Sequence, residues 1–375
     1  MRCLLKKNCR SILVVCNGVI ATGENNRLLI NGHSGRLLLD IKKDGFEPTY
    51  IGLSSTFDQN SSLDDFELGE NNLRGLPLKK SKPAHLVKSL LTEILSTRFV
   101  YIFYPGSLGS LVAFICFLLG KPYGLYVRGE HYDSGFLTKV ILKQSRFILT
   151  VSPSIEKKLN FFCEHVETIR PMTFISEKDN FKREELISVP PIWNILFVGN
   201  IIAHKGIYEL LEAAAELKKE GIGFNLRLVG GGVLFEELKS ELRTHSAHNN
   251  IEFIGLVSDK DTLMAEYRNA HLLILPTYHE GFPRVLYEAM MTELPIITTM
   301  VGGIPGRMTD LENCVAIEVK SSKSIVNAVK FLSKDLNLYN TIGKNGHDTI
   351  TRVLRDNKSH NDLLCESLQL YYEHN

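Results

Sequence analysis

No two of the seven cysteines in this 375-residue chain have C-x-x-C spacing; they stand apart at 3, 9, 16, 116, 163, 314 and 365. An odd, scattered set fits neither a disulfide framework nor a zinc site, and it suits a reducing cytosol. Charge of one sign is also lacking: 43 Lys+Arg meet 42 Asp+Glu, and a net +1 argues against a nucleic-acid binder. Asp64-Asp65 lies in a polar stretch with no strand-forming run before it, so it does not read as a metal motif. Gly230-Gly231-Gly232 lacks both the G-x-G-x-x-G spacing and an acidic partner, which excludes a dinucleotide fingerprint and leaves a strand-to-helix turn. Long apolar runs are missing as well. The most apolar stretch, residues 99–120, is broken by Pro105, Gly106 and Gly109, and its continuous part is short for a bilayer. Ile12–Val15 is too short for a secretory h-region, so neither a signal peptide nor a transmembrane helix is expected.

What is present is an α/β rhythm. With 44% apolar and 23% charged residues the chain can bury two ordinary cores, and its length suits two domains. Short β-branched runs at Ile12–Val15, Thr49–Gly52, Val100–Phe103, Tyr123–Val127 and Phe147–Val151 alternate with helical patterns between them. Near Phe174–Asn194 the pattern fails and Pro190-Pro191 follows, which marks a linker. The rhythm then restarts at Ile195–Val198 and runs through Leu226–Val229, Ile251–Ile254, Leu272–Leu275, Pro295–Thr298 and Ala316–Val319. Such alternation predicts two doubly wound, Rossmann-like α/β domains in tandem, over 1–180 and 190–355. The helix at 356–375 is expected to pack back on the first. Ligands in such sheets bind at the carboxyl ends of the strands, here in a cleft between the domains.

The two halves differ in charge. Residues 1–180 carry 23 Lys+Arg against 17 Asp+Glu, and the remainder 20 against 25. Basic clusters at Lys6–Arg10, Lys79–Lys82 and Lys139–Arg146 read either as solvated surface or as a face for an anionic membrane or acceptor.

Residues 280–290, EGFPRVLYEAM, follow an apolar strand and open a helix. Glu280 falls at the strand end and Glu288 inside the helix. Gly281 lets a ligand approach the backbone, and the free amides around Phe282, Pro283 and Arg284 form an anion site. Carboxylates accept bonds from paired sugar hydroxyls. Equally, Glu280 can be a helix cap and Glu288 a solvated helix residue. In the second site, a strand ends at Gly199-Asn200 and a loop leads to Lys205-Gly206 at a helix start. A lysine there can neutralise a departing diphosphate, although the pattern alone also describes an ordinary turn.

Together these segments resemble the E-x7-E signature of family 4 retaining glycosyltransferases, which have the GT-B fold. The similarity covers most of 195–320, including Gly302-Gly303-Ile304-Pro305. The resemblance implies that Glu280 contacts donor-sugar hydroxyls and Glu288 the nucleotide ribose. Lys205 would grip the diphosphate, and backbone groups at Gly255 and Leu256 would hold the base. Three positions depart from the family pattern: Asn200 where arginine is frequent, Gly306 where glutamate is usual, and Cys314 where glycine often follows asparagine. In the first domain Arg128-Gly129 takes the place of a histidine-glycine pair. His131 is either a contact to the transferred sugar or a turn residue, and Arg128 is a candidate for an anionic acceptor or the donor phosphate. Gly32 and Gly35 are candidates for a phosphate-facing loop.

The reading that follows is a retaining hexosyltransferase using a UDP- or GDP-activated sugar without a metal cofactor. Its acceptor is a hydroxyl of a glycan or lipid-linked molecule in surface polysaccharide synthesis, such as capsule. It is expected in the cytoplasm, at the inner face of the cell membrane, with possible peripheral contact to anionic lipid and no nucleic-acid partner. A catalytically inactive nucleotide-sugar-binding subunit, a sugar-nucleotide epimerase and a dehydrogenase are the other readings.

Overall fold

A computed structural model describes residues 10–56, 66–79, 81, 83–129, 135–170, 179–186 and 188–374. The chain divides into two compact units, residues 1–169 with 358–375, and residues 170–357.

The first unit runs β1 (Ser11–Thr22), β2 (Leu28–Ile30), α1 (Gly32–Lys43), β3 (Glu47–Thr56), β4 (Phe66–Glu67), β5 (Arg74–Leu78), α2 (Pro83–Ser96) and β6 (Phe99–Tyr104). It continues through α3 (Ser107–Leu118), β7 (Tyr123–Val127), α4 (Phe136–Gln144), β8 (Ile148–Thr150), α5 (Pro153–Leu159) and β9 (Val166–Thr168). Its parallel strands lie in the order β5-β3-β1-β6-β7-β8-β9, and β2 and β4 join antiparallel at the end of β1. Strands covered on both faces must be apolar throughout, which is why β6 and β7 are buried at every position.

In the second unit come β10 (Trp193–Val198), α6 (Ile207–Lys219), β11 (Phe224–Val229), α7 (Phe235–Glu241), β12 (Ile251–Gly255), α8 (Lys260–Asn269) and β13 (Leu272–Leu275). They are followed by α9 (Arg284–Met291), β14 (Ile296–Thr299), β15 (Val315–Ile317), α10 (Ser322–Lys334) and α11 (Leu336–Asp356). All six strands are parallel, in the order β12-β11-β10-β13-β14-β15. Helix α11 buries Tyr339, Ile342, Gly343, Gly346, Ile350 and Val353, a stripe at helical spacing that faces the core.

The last helix, α12 (His360–His374), belongs to the first unit. His360 Nε2 and the Tyr101 hydroxyl are 2.6 Å apart, and the Tyr372 hydroxyl donates to the Ser11 carbonyl at 3.1 Å. The described part of the polar stretch before β10 lies along the second unit. Arg183 donates to the carbonyls of Tyr267, Arg268, Ala270 and Thr292, while Asn340 and Leu186 exchange two bonds. A guanidinium satisfied by four carbonyls fastens backbone that has no strand or helix of its own.

Helix α4 and strands β2, β4, β5 and β9 are additions to the elements read from sequence. The pattern Arg-Gly-Leu-Pro-Leu of β5 hides a strand because Pro77 cannot donate to a ladder; at the sheet edge that deficit is tolerated.

Candidate functional site

In the second sheet β10 and β13 are neighbours whose onward connections leave in opposite directions. A crevice opens outside the carboxyl ends of strands at such a reversal. Two loops meet there, one after β10 and one after β13. The Tyr278 amide donates to the His204 carbonyl at 2.8 Å, and the Thr277 hydroxyl lies 3.3 Å from the same oxygen. Gly206, at φ +72, makes the meeting possible: a Cβ there would stand 2.1 Å from the Pro276 carbonyl oxygen. Only glycine satisfies both the left-handed backbone and the close approach.

The contact brings together Lys205 and Glu280, 75 positions apart in sequence. The ammonium pairs with Glu280 Oε1, and the side chains are only 17% and 13% exposed. Screening is weak in such a site, and removal of one partner leaves a costly lone charge. Thr277, fully buried, places its hydroxyl 3.3 Å from Glu280 Oε1. The Glu280 carbonyl accepts from the Gly303 amide at 3.2 Å, and a Cβ on Gly302 (φ +57) would lie 1.8 Å from that oxygen. The Gly302-Gly303 loop therefore pins the Glu280 backbone.

Gly281, Phe282 and Pro283 lead into α9, with Pro283 as N-cap and no side chain capping the first amides. This disposes of Glu280 as a helix cap. Phe282 stacks on Tyr287 with ring centroids 4.3 Å apart, which ties the loop to the helix behind it. Arg284 is exposed in the first turn. Glu288 is buried, not solvated, and its Oε2 accepts from the Tyr267 hydroxyl at 2.7 Å. Burial raises its pKa, opposed by the Tyr267 bond and by the Arg284 charge. Thr277 and Tyr267 were missed in the sequence. The only signal for Tyr267 is the one aromatic in the helix KDTLMAEYRN, three positions after the buried Met264.

Two more loops, after β11 and β12, converge with the β10 loop. The Ile201 amide donates to Gly231 and the Gly230 amide to Gly255, each at 2.8 Å. Cβ atoms on Gly230 and Gly232 would lie 2.0 Å from the Gly199 oxygen and 2.5 Å from the Ile201 oxygen. Gly199, Asn200, Gly255 and Leu256 thus share one edge with Lys205, and Asn200 and Leu256 are exposed there. The triple glycine serves this packing.

In the first unit Arg128 follows β7 and is exposed. Its guanidinium lies 5.6 Å from the Phe103 ring centroid and 6.0 Å from that of Tyr126. His131 lies outside the described residues. Gly35 lies in α1 against the Phe66 ring, from which a Cβ there would be 2.1 Å. Among the described residues no group of three or more His, Cys, Asp or Glu is placed to hold a metal ion, and no helix is long and apolar enough to cross a membrane.

Residues 178–349 match the family described as glycosyl transferases group 1. The capsular polysaccharide biosynthesis glycosyltransferase CapM of Staphylococcus aureus is 27% identical over 292 residues, 71% of this chain and 73% of that protein. Two solved structures share the fold over 97% of this chain and 99% of their own. Sucrose-phosphate synthase from Thermosynechococcus elongatus has a TM-score of 0.65 at 17% identity. Anabaena Alr3699/HepE in complex with UDP has 0.66 at 15%. Residues 178–349 thus match the glycosyl transferases group 1 family, and the two-unit α/β framework is the fold of GT-B glycosyltransferases.

Proposed function

We propose that the protein is a retaining glycosyltransferase that moves a hexosyl group from a UDP- or GDP-sugar to a hydroxyl acceptor. The acceptor would belong to surface polysaccharide or lipid-linked glycan synthesis, at the inner face of the cell membrane. One observation carries the reading: Lys205 and Glu280 are paired and largely buried at the strand-order reversal of the second sheet. The capsular relative and the UDP-bound neighbour support the direction.

In this reading Lys205 and the first amides of α6 offset the charge that builds on the departing diphosphate. Glu280 accepts bonds from donor-sugar hydroxyls, a positioning role held in place by Thr277 and the Gly302-Gly303 loop. Glu288 accepts from the ribose, and the ends of β11 and β12 face the base. Arg128 and His131 would contribute from the first unit, toward the acceptor or donor phosphate and the transferred sugar. The residues supply the charge complement without a metal cofactor.

The test is transfer from UDP- and GDP-hexoses to a panel of glycan and lipid-linked acceptors, with the stereochemistry of the product determined. Glu280→Gln and Lys205→Met should each lower turnover by roughly 100-fold or more, the scale for a key charge-stabilising group. Thermal midpoints must accompany the rates, because each change also leaves a partner unpaired. Near-normal turnover in both folded variants would sink the assignment, and conversion of the donor without any acceptor would point to an epimerase.

A further inference from the structure

Helices α2, α3 and α4 lie side by side, α3 between the other two. Each connects parallel strands, so each runs back from strand carboxyl ends and finishes at the amino edge of the first sheet. Three helix ends thereby share one rim: residues 95–98 (LSTR), 117–122 (FLLGKP) and 143–146 (KQSR). Lys121 Nζ donates to the Leu95 carbonyl at 3.5 Å, which ties the first two together.

The composition of this rim is unusual for a water-facing surface. Leu95 and Leu118 are each 64% exposed, and Phe117 and Leu119 are exposed beside them. Lys121, Lys143 and Arg146 stand among them, while Arg98 turns to the Tyr372 ring, and the three stretches contain no carboxylate. The only acidic residue in the three helices, Glu93, is buried and paired with Arg74. Glu164 borders the rim, beside Cys163, whose thiol faces the Ser145 carbonyl. By contrast α6, which also covers a sheet, carries Glu209, Glu212 and Glu216. Cations near helix carboxyl ends also offset the helix dipole, but that leaves four exposed apolar side chains without a reason.

We propose that this rim docks on an anionic lipid bilayer. The leucines and Phe117 would enter the boundary between headgroups and acyl chains, while Lys121, Lys143 and Arg146 lie at phosphate level. This surface is independent of the transfer chemistry in the second unit.

The experiment is co-sedimentation of the full chain with phosphatidylcholine vesicles, with and without phosphatidylglycerol. Binding is expected only with phosphatidylglycerol and should fall steeply between about 0.1 and 1 M salt as the Debye length shrinks. Lys143→Gln/Arg146→Gln should weaken partitioning roughly 30-fold, from about fivefold for each basic residue near the surface. Leu118→Ser/Leu119→Ser should also weaken it, and Lys218→Gln/Lys219→Gln on α6 should not. Thermal midpoints matching the parent would show that the variants are folded. No binding at low salt, or equal loss in the α6 control, would overturn the proposal. So would self-association abolished by Leu118→Ser/Leu119→Ser without vesicle binding, which would assign the rim to a second copy of the chain.

Discussion

Two glutamates eight positions apart carry the same functional group into opposite surroundings. Glu280 sits in a loop and answers a lysine, whereas Glu288 is mostly buried in a helix with a tyrosine hydroxyl as donor. Burial raises the Glu288 pKa above its value in the unfolded chain, so the folded state holds that proton more tightly. Stability from this group is therefore present at low pH and is lost as pH rises through the folded pKa, where a buried charge must form. Glu288→Gln should accordingly raise the melting temperature at neutral pH, and the gain should shrink as the solution is acidified. The same change should weaken nucleoside diphosphate binding roughly tenfold or more, the scale of a hydrogen bond to a charged group. Calorimetric melts across pH and a binding titration check both. A variant that melts lower than the parent at neutral pH would show that the carboxylate stabilises the fold instead. Sequence alone made both glutamates visible through their spacing; it did not show Tyr267, because the contact joins α8 to α9 across 21 positions.

At the scale of elements, α12 is fastened to the first sheet by a histidine in an aromatic nest. His360 is buried, lies against Tyr126 with ring centroids 4.3 Å apart, and meets the Tyr101 hydroxyl. Burial, helped by the Arg128 charge, pushes its pKa down to about 3. The unfolded chain takes the proton first, so stability is full above the ordinary histidine range and falls as pH drops through it toward the folded value. Between pH 7 and pH 5 this histidine should cost about 2 kcal/mol of unfolding free energy, given an unfolded pKa near 6.5. His360→Gln, which keeps a partner for Tyr101, should flatten that dependence in urea titrations. An unchanged slope would show that His360 is protonated in the fold. Periodicity showed α12 itself, and it showed every long strand, because apolar runs between helical patterns are explicit. It missed α4 and the short strands β2, β4, β5 and β9, whose pairing depends on neighbours distant in the chain.

For the molecule as a whole, strand order places the proposed site. The second sheet reverses direction between β10 and β13, and the loops after those two strands hold Lys205 and Glu280. Sequence reading reached those residues by local pattern. Why Gly206 and Gly302 are glycines became clear only in three dimensions, since each stands against a carbonyl oxygen from another loop. The first unit was less legible in its functional detail. Arg128 rests on two rings, and the stretch with His131 lies outside the described residues.

The most direct test is a thermal-shift screen of the full chain against UDP, GDP, ADP, dTDP, CMP and NAD, repeated with Glu288→Ala. A ligand that binds only the folded state must raise the melting point, by about 2.7 kcal/mol of stability at a hundredfold excess over its dissociation constant. A shift with UDP or GDP that is lost in Glu288→Ala is the predicted result. A shift with NAD alone, or none with any nucleoside diphosphate at saturating concentration, would contradict a nucleotide-sugar site in the second unit.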